Sequence, residues 1–246
     1  MTDVQDVTVL IVNYRTLAVT KHCIDTLRNR YPRVPLLLID NGSADPSTDY
    51  LRDLAARDSC ASVILNQQNR YHGPALDQGI RACTTRYVFT LDSDCEIREA
   101  GFLEPMRALF TNPMLYAVGE LRFKSRYGYT FGYGEKARTG RRLRIPYIHP
   151  WSMLLDREKY LALRPFIHHG SPCLQNMRTA QKRGYQVNDF PMWDFIEHFG
   201  GGTSSRHGYG IWAGAKQKLP FCLEKLEGLL LRDPTLDPMG GSKLQT

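Results

Sequence analysis

YVFTLDSDCEI, residues 87–97, is the stretch on which the reading of this chain turns. A β-branched and aromatic run ends abruptly in two aspartates one residue apart, Asp92 and Asp94. Such a run suits a strand buried on both faces. Charges at its end are costly unless that end opens onto something polar. Alternate residues of an extended chain face the same side, so the two carboxylates can converge with Ser93 between them. Converging carboxylates repel unless a positive charge intervenes. A hard divalent cation whose shell is completed by phosphate oxygens would satisfy them. The plainer alternative is a pair of aspartates capping a turn, and the spacing alone leaves both open.

Upstream, the pattern repeats. VTVLIVNY (7–14), PLLLID (35–40) and ASVILN (61–66) are short apolar runs bounded by polar residues, each reading as a strand, with RYVFTL (86–91) the fourth. Helices are expected between them. One spans 16–30, with Arg28 and Arg30 suiting a helix C-terminus. A second runs from Ser47 to about Ala56, and a third covers GPALDQGIRAC (73–83). Strands alternating with helices imply right-handed βαβ units and a parallel sheet covered on both faces. Ligands of such sheets bind at the C-terminal strand ends.

Beyond Pro113 the alternation weakens. LYAVGE (115–120) and WSMLLD (151–156) read as strands, LQNMRTAQKRG (174–184) as a helix, and YQVNDF (185–190) and DFIEHF (194–199) as two short strands. GGGTSSRHGYG (200–210) is expected to be a loop and 218–232 an amphipathic helix. We divide the chain into 1–115, a ligand-binding α/β half; 116–215, a smaller mixed half of the same domain; and 216–246, a terminal helix and tail.

The 246 residues suffice for one large domain, and their 42% hydrophobic and 23% charged content is that of a soluble protein. No apolar run reaches the about 20 residues a membrane span needs. The first residues lack the basic and cleavage features of a signal peptide. Six scattered cysteines show no metal spacing, so reduced thiols in a cytoplasmic protein are expected, with peripheral attachment at the inner membrane face left open. Residues 122–145 hold eight Lys/Arg against one Glu, a surplus that equals the whole chain's net charge of +7. A basic patch confined to one segment points to a local acidic partner, or to a solvated loop, and argues against nucleic acid as the general partner.

Polar clusters stand at all four strand ends: Asn13-Tyr14-Arg15; Asp40-Asn41-Gly42-Ser43 with Asp45; Asn69-Arg70-Tyr71-His72-Gly73; and Asp92-Ser93-Asp94. The stretches VTVLIVNYR, LLLIDNGSAD, NRYHGPALDQGI and YVFTLDSD, together with the later KRGYQVNDFPMWDFIEHFGGGTS, resemble the family 2 nucleotide-sugar glycosyltransferases of inverting type. The resemblance covers most of 7–205 and is thin between 121 and 165. It implies the GT-A (Rossmann-like) fold, an α/β architecture whose mostly parallel central sheet is flanked by helices, with a smaller mixed acceptor-side portion.

That resemblance also implies roles. Asp40 would hydrogen-bond the nucleotide base beside Asn13, Tyr14, Arg15 and Asn41, and Arg70 and Gly73 would line the base and ribose side. Asp92 and Ser93 would face the ribose or metal-bound water. Asp94, with Asp92 and His198, would hold Mn2+ or Mg2+. Ser204 to His207 would close over the diphosphate. The donor would be a UDP-, GDP- or dTDP-linked sugar; the acceptor is open, with an acidic or lipid-linked one suggested by the basic segment 122–145.

The chain departs from its family at one place. Members carry an acidic base about a dozen residues before the Gly-Tyr pair, and here Pro172-Cys173 stands there. His168 or His169 is the expected catalytic base, since a neutral imidazole is competent near pH 7; Asp194 and Glu197 are the alternatives. The same departure motivates a second reading, a nucleotide-sugar-binding protein without transfer activity. A nucleotidyltransferase is disfavoured because VNYRTLAV holds no glycine-rich phosphate loop.

Overall fold

A computed structural model of the chain describes residues 4–125, 144–167 and 170–200, and the backbone of 130–133. The first half builds as its periodicities dictate. β1 (Val7–Asn13), β2 (Leu36–Asp40), β3 (Ala61–Leu65) and β4 (Tyr87–Asp92) lie side by side in the order β3-β2-β1-β4, all parallel. Between them run α1 (Leu17–Arg30), α2 (Pro46–Arg57) and α3 (His72–Ala82). α2 starts one residue before the expected Ser47, because Asp45 caps it by accepting from the Ser47 amide at 2.9 Å and Pro46 fits the first helical position.

Alternation in the strands sets the two cores. Val9, Ile11, Leu36, Leu38, Phe89 and Leu91 pack against α1, α2 and α4 (Leu103–Ala108). Leu10, Val12, Leu37, Ile39 and Val88 turn the other way, toward α3, α5 (Arg157–Leu161) and α6 (Leu174–Lys182). Burial on both faces explains the unbroken apolar runs.

The second half extends the same sheet with mixed polarity. β8 (Ile145–Asp156) pairs antiparallel with β4, and β6 (Leu115–Lys124) pairs antiparallel with β8. The far edge of β6 is shared: β9 (Gln186–Asp189) runs parallel to its first part and β7 (Thr130–Tyr133) antiparallel to its last. β8 begins six residues before the expected WSMLLD, because Pro146 and Pro150 hide its first part from pattern reading. β7 lies in the basic segment, where no strand was expected. The expected helix at 218–232, most of the loop 200–210 and the tail lie outside the described residues.

Two irregularities shape the site. Between Gly119 and Leu121 of β6, the partner in β8 jumps from Met153 to Ile148. His149, Pro150, Trp151 and Ser152 therefore bulge opposite Glu120, which re-aims side chains as bulges do. Separately, β5 (Cys95–Ile97) and β10 (Ile196–His198) form a small antiparallel ribbon in which His198 stands opposite Cys95.

Candidate active site

The C-terminal ends of β1, β2 and β4 meet at one edge of the sheet, and the polar clusters of the sequence meet there too. Asn13 is the hub of the first. It is 1% exposed; its Nδ2 donates to Asp40 Oδ1 at 3.0 Å, Ser43 Oγ at 3.1 Å and Ser47 Oγ at 2.9 Å. Its Oδ1 accepts from Thr16 and Thr20 at 3.0 and 2.9 Å. Asp40, also 1% exposed, accepts from Asn13, from the Ser43 hydroxyl and amide, and from Thr48 Oγ1 at 2.7 Å. All four lone-pair positions of its carboxylate are thus engaged by protein. Asp40, assigned to the base from the family pattern, is here the knot that ties the β1 and β2 loops together.

The next loop is fixed in the same manner. Asn41 donates to Asn69 Oδ1 at 3.0 Å and accepts from the Arg70 amide at 3.1 Å. Gly42 has φ of +77°, and a Cβ there would lie 2.4 Å from the Gln68 carbonyl carbon, so no other residue fits without rearrangement. Arg15, Ala44 and Tyr71, all non-glycine, hold φ of 55°, 51° and 67° in these loops, a concentration of strain typical of functional turns. Arg15 lies over the Tyr14 ring at 5.2 Å and donates to the Ser43 carbonyl at 3.0 Å. A Cβ on Gly73 would sit 2.1 Å from the Ile167 carbonyl oxygen and 2.8 Å from the Pro172 Cβ, so Gly73 allows Ile167 and Pro172 to approach α3.

Asp92 ends β4 and Asp94 lies in the turn that follows, rather than in an extended continuation of the strand, and both carboxylates reach one imidazole that arrives from the ribbon. His198 Nε2 lies 3.5 Å from Asp92 Oδ2 and 3.2 Å from Asp94 Oδ1. The β5–β10 register brings it there, reinforced by the Phe199 amide donating to the Asp94 carbonyl at 3.0 Å. His72, at the start of α3, adds a second imidazole 3.5 Å from Asp92 Oδ1. Burial opposes charge on Asp92, but His72 and His198 outweigh it and hold the carboxyl below its usual range. Burial likewise opposes charge on His198, yet its two carboxylate partners win and raise it to about 10. Asp94, Cys95 and His198 each offer a donor atom within 4.8 Å of one another. Burial, Cys23 and both aspartates push the Cys95 thiol well above its ordinary range, which leaves it protonated. Two hard carboxylates and an imidazole that a cation would deprotonate fit Mn2+ or Mg2+. Ser93 lies deeper, 3.4 Å from Thr16 Oγ1.

Beyond His198 lies a second set that sequence reading missed. Trp151, 1% exposed, has its ring centroid 5.4 Å from that of His198 and 4.8 Å from that of Trp193. Its Nε1 donates to Glu120 Oε2 at 2.6 Å, and Arg122 donates to the same oxygen at 2.7 and 3.2 Å. Nearby His149 is pushed well below the usual imidazole range by burial, by Arg122 and Lys124, and by His72 and His198. The signal for Glu120 was present: an acid inside the apolar run LYAVGELRF, the same oddity as Asp92. At the start of α6, Cys173 is fully buried and its thiol is pushed up by burial, with no carboxylate in its place. His168 and His169 lie outside the described residues. Glu197 pairs with Arg98 on the face of β10 opposite His198, and Asp194 is exposed in a short 3-10 turn.

Comparison with known proteins follows this geometry. A stretch of 89 residues is 30% identical to the glycosyltransferase EpsH of Bacillus subtilis (strain 168), covering 36% of this chain and 26% of EpsH. The mannosyltransferase PcManGT of Pyrobaculum calidifontis, solved with GDP-Man and Mn2+, superposes with a TM-score of 0.58 at 18% identity, over 76% of this chain and 55% of its own. GalNAc-T7, solved with UDP, GalNAc and Mn2+, gives 0.59 at 13% identity, over 74% of this chain and 41% of its own. The chain thus spans about a quarter of EpsH and about half of these structures, and the structural likeness establishes a shared GT-A fold. Residues 8–180 match the profile of Glycosyl transferase family 2, which is most of the chain, and this protein belongs to that family.

Proposed function

We propose that this protein transfers a hexosyl or related group from a nucleoside-diphosphate sugar, with Mn2+ or Mg2+ held by Asp92, Asp94 and His198. The observation that carries the reading is the convergence of those three side chains, His198 within 3.5 Å of both carboxylates, at the C-terminal edge of a parallel sheet. The cation, when bound, offsets the negative charge that grows on a departing diphosphate. The protein's own residues do the rest. The Asn13–Asp40–Ser43 knot and the Asn41–Asn69–Arg70 loop shape the nucleotide pocket, with Tyr14, Arg15 and Arg70 on its rim and Ser93 buried beneath it. His72 keeps Asp92 ionised. His169 or His168 serves as the base on the acceptor side in this reading.

Two observations support donor binding as the core activity: the family membership, and neighbours of the same fold solved with nucleotide sugars or nucleotides and Mn2+. The second reading, a protein that binds the donor without transfer, is favoured by one feature, Cys173 in place of the family's acid. Among the described residues no helix is long and apolar enough to cross a membrane; we place the protein in the cytoplasm.

The test is a thermal-shift panel of UDP, GDP and dTDP with and without Mn2+, since a ligand that binds only the folded state raises its melting temperature. One nucleotide should stabilise strongly with Mn2+ and weakly without it. No metal-dependent stabilisation by any of the three would reject the reading. Hydrolysis of the matching nucleotide sugar then separates an enzyme from a binding protein.

A further inference from the structure

A cleft of about 480 Å³ opens beside the metal-ligand cluster, lined by Glu120, Leu121, Arg122, Asp189, Phe190 and Trp193. Trp193 in its lining packs on the buried Trp151, which in turn packs on His198. A molecule on Trp193 is therefore connected through two adjoining indoles to the groups assigned to the diphosphate and its cation.

Three features define what fits there. Trp193 is 55% exposed although it is the largest apolar side chain available, and its ring is held against Trp151 at 4.8 Å. It is a braced, half-open aromatic platform. Glu120 is 8% exposed, and its three donors all meet one oxygen, Oε2. Among the described residues Oε1 has no donor, so the carboxylate is clamped by one oxygen while the other is left for a ligand. Asp189 repeats the pattern: Oδ1 accepts from the Leu121 amide at 2.9 Å and the residue is otherwise exposed. The guanidinium of Arg122 is committed to Glu120. The cleft thus offers carboxylate acceptors beside an aromatic face.

That combination disfavours an anion, which would meet two carboxylates with the local cation already paired. It also disfavours a purely apolar chain, which would bury the open carboxylate oxygens without partners. A pyranose answers both demands, since one face of the ring carries C–H groups and its rim carries hydroxyl donors. We propose that this cleft is the acceptor subsite and takes an uncharged sugar, its apolar face on Trp193 and its hydroxyls donating to Glu120 Oε1 and Asp189. The proposal rests on the transferase reading for the word acceptor, and its binding test is independent of that reading.

The experiment is saturation-transfer NMR on the full chain with methyl α- and β-glycosides of glucose, galactose and mannose, and with mannose 6-phosphate as the anionic probe. At least one methyl glycoside should receive saturation, strongest on the ring protons of one face, and mannose 6-phosphate should receive none. Trp193→Ala, at a half-exposed position, should weaken binding by about tenfold, and Glu120→Gln, which keeps the side chain's volume and an acceptor oxygen but not the charge, by about fivefold, the difference between a charged and a neutral acceptor. Both variants should keep the Mn2+-dependent stabilisation by nucleotide. The proposal is overturned if no methyl glycoside binds, if the phosphorylated sugar binds better, or if both variants bind as the wild type does. A wild-type protein that binds glycoside but shows no nucleotide stabilisation would instead remove the donor reading and leave a sugar-binding cleft.

Discussion

Asp40→Ala distinguishes two roles for one carboxylate. If Asp40 served only the nucleotide base, its loss would weaken nucleotide binding by about 1.5–3 kcal/mol, the value of a hydrogen bond to a charged group, and would leave the ligand-free protein intact. The structure assigns a different consequence. Asp40 is 1% exposed and accepts from Asn13 Nδ2, Ser43 Oγ, the Ser43 amide and Thr48 Oγ1. Alanine removes all four acceptor contacts. Unsatisfied buried donors cost about 1–3 kcal/mol apiece, but the contacts share a network and do not add. The Ser43 hydroxyl can turn elsewhere, and the Ser43 amide bond is long at 3.4 Å. Asn13 Nδ2 keeps Ser43 Oγ and Ser47 Oγ as acceptors, so Thr48 is the donor left short, and we expect the ligand-free protein to lose about 1–3 kcal/mol of the about 5–15 kcal/mol that holds a domain folded. Urea unfolding without nucleotide or metal measures this directly as a fall in midpoint at unchanged slope. Asp40→Asn should recover part of the loss, since its amide oxygen can keep the Asn13 or Thr48 bond. A midpoint within about 0.5 kcal/mol of wild type for the alanine variant would refute the structural role and restore direct base recognition.

Other variants probe the remaining parts of the site. Asp94→Asn should abolish the Mn2+-dependent part of nucleotide stabilisation in the thermal-shift assay, and the metal-free melting temperature should also fall because His198 loses one of its two carboxylate partners. Gly42→Ala should destabilise by about 2–4 kcal/mol, because a Cβ 2.4 Å from the Gln68 carbonyl carbon adds a backbone clash to a φ of +77°, and urea unfolding would show it. His198 supplies a pH dependence whose sign is fixed. Its pKa, raised to about 10 by Asp92 and Asp94 against the opposing effect of burial, lies above the unfolded value of about 6.5. In metal-free protein its contribution to stability is therefore complete below the unfolded value and is lost as pH rises through about 10. The melting-temperature difference between wild type and His198→Phe should shrink across that window, and a difference that grows with pH would contradict the geometry.

Much of the donor half was legible because local sequence determines it. Both faces of β1, β2 and β4 are buried, so their apolar runs are unbroken, and the polar residues after them stand out by contrast. Asp92 and Asp94 stood out at the end of such a run, although the partner that joins them, His198, arrives from a distant strand. Asp40 shows the limit of such reading. Its position at a strand end was evident, but whether its oxygens point at a ligand or at Asn13 and Thr48 depends on side chains 27 and 8 residues away. The acceptor half was less legible for the same reason carried further. β8 is interrupted by Pro146 and Pro150, and Glu120 meets Trp151 only because β8 bulges by four residues opposite it. No period in the sequence announces a bulge.

His198 makes the point most sharply, since its placement depends on register alone. The ribbon pairs His198 with Cys95, Glu197 with Glu96 and Ile196 with Ile97. Side chains alternate between faces along a strand, so a slip of one residue would turn Glu197 toward Asp94 and send His198 to the solvent side. Two observations set the observed register. Ile196 and Ile97 are both buried at 0% and 2% exposure, and a slip would expose one of them. Arg98 pairs with Glu197 on the outer face, where a slip would leave it facing the histidine instead. The hydrophobic anchor at one end of a three-residue strand thus selects an imidazole, rather than a third carboxylate, as the partner of Asp92 and Asp94. A third carboxylate would add repulsion to the metal-free site. The imidazole, charged when the cation is absent and neutral when it is bound, lets the same cluster persist through both states.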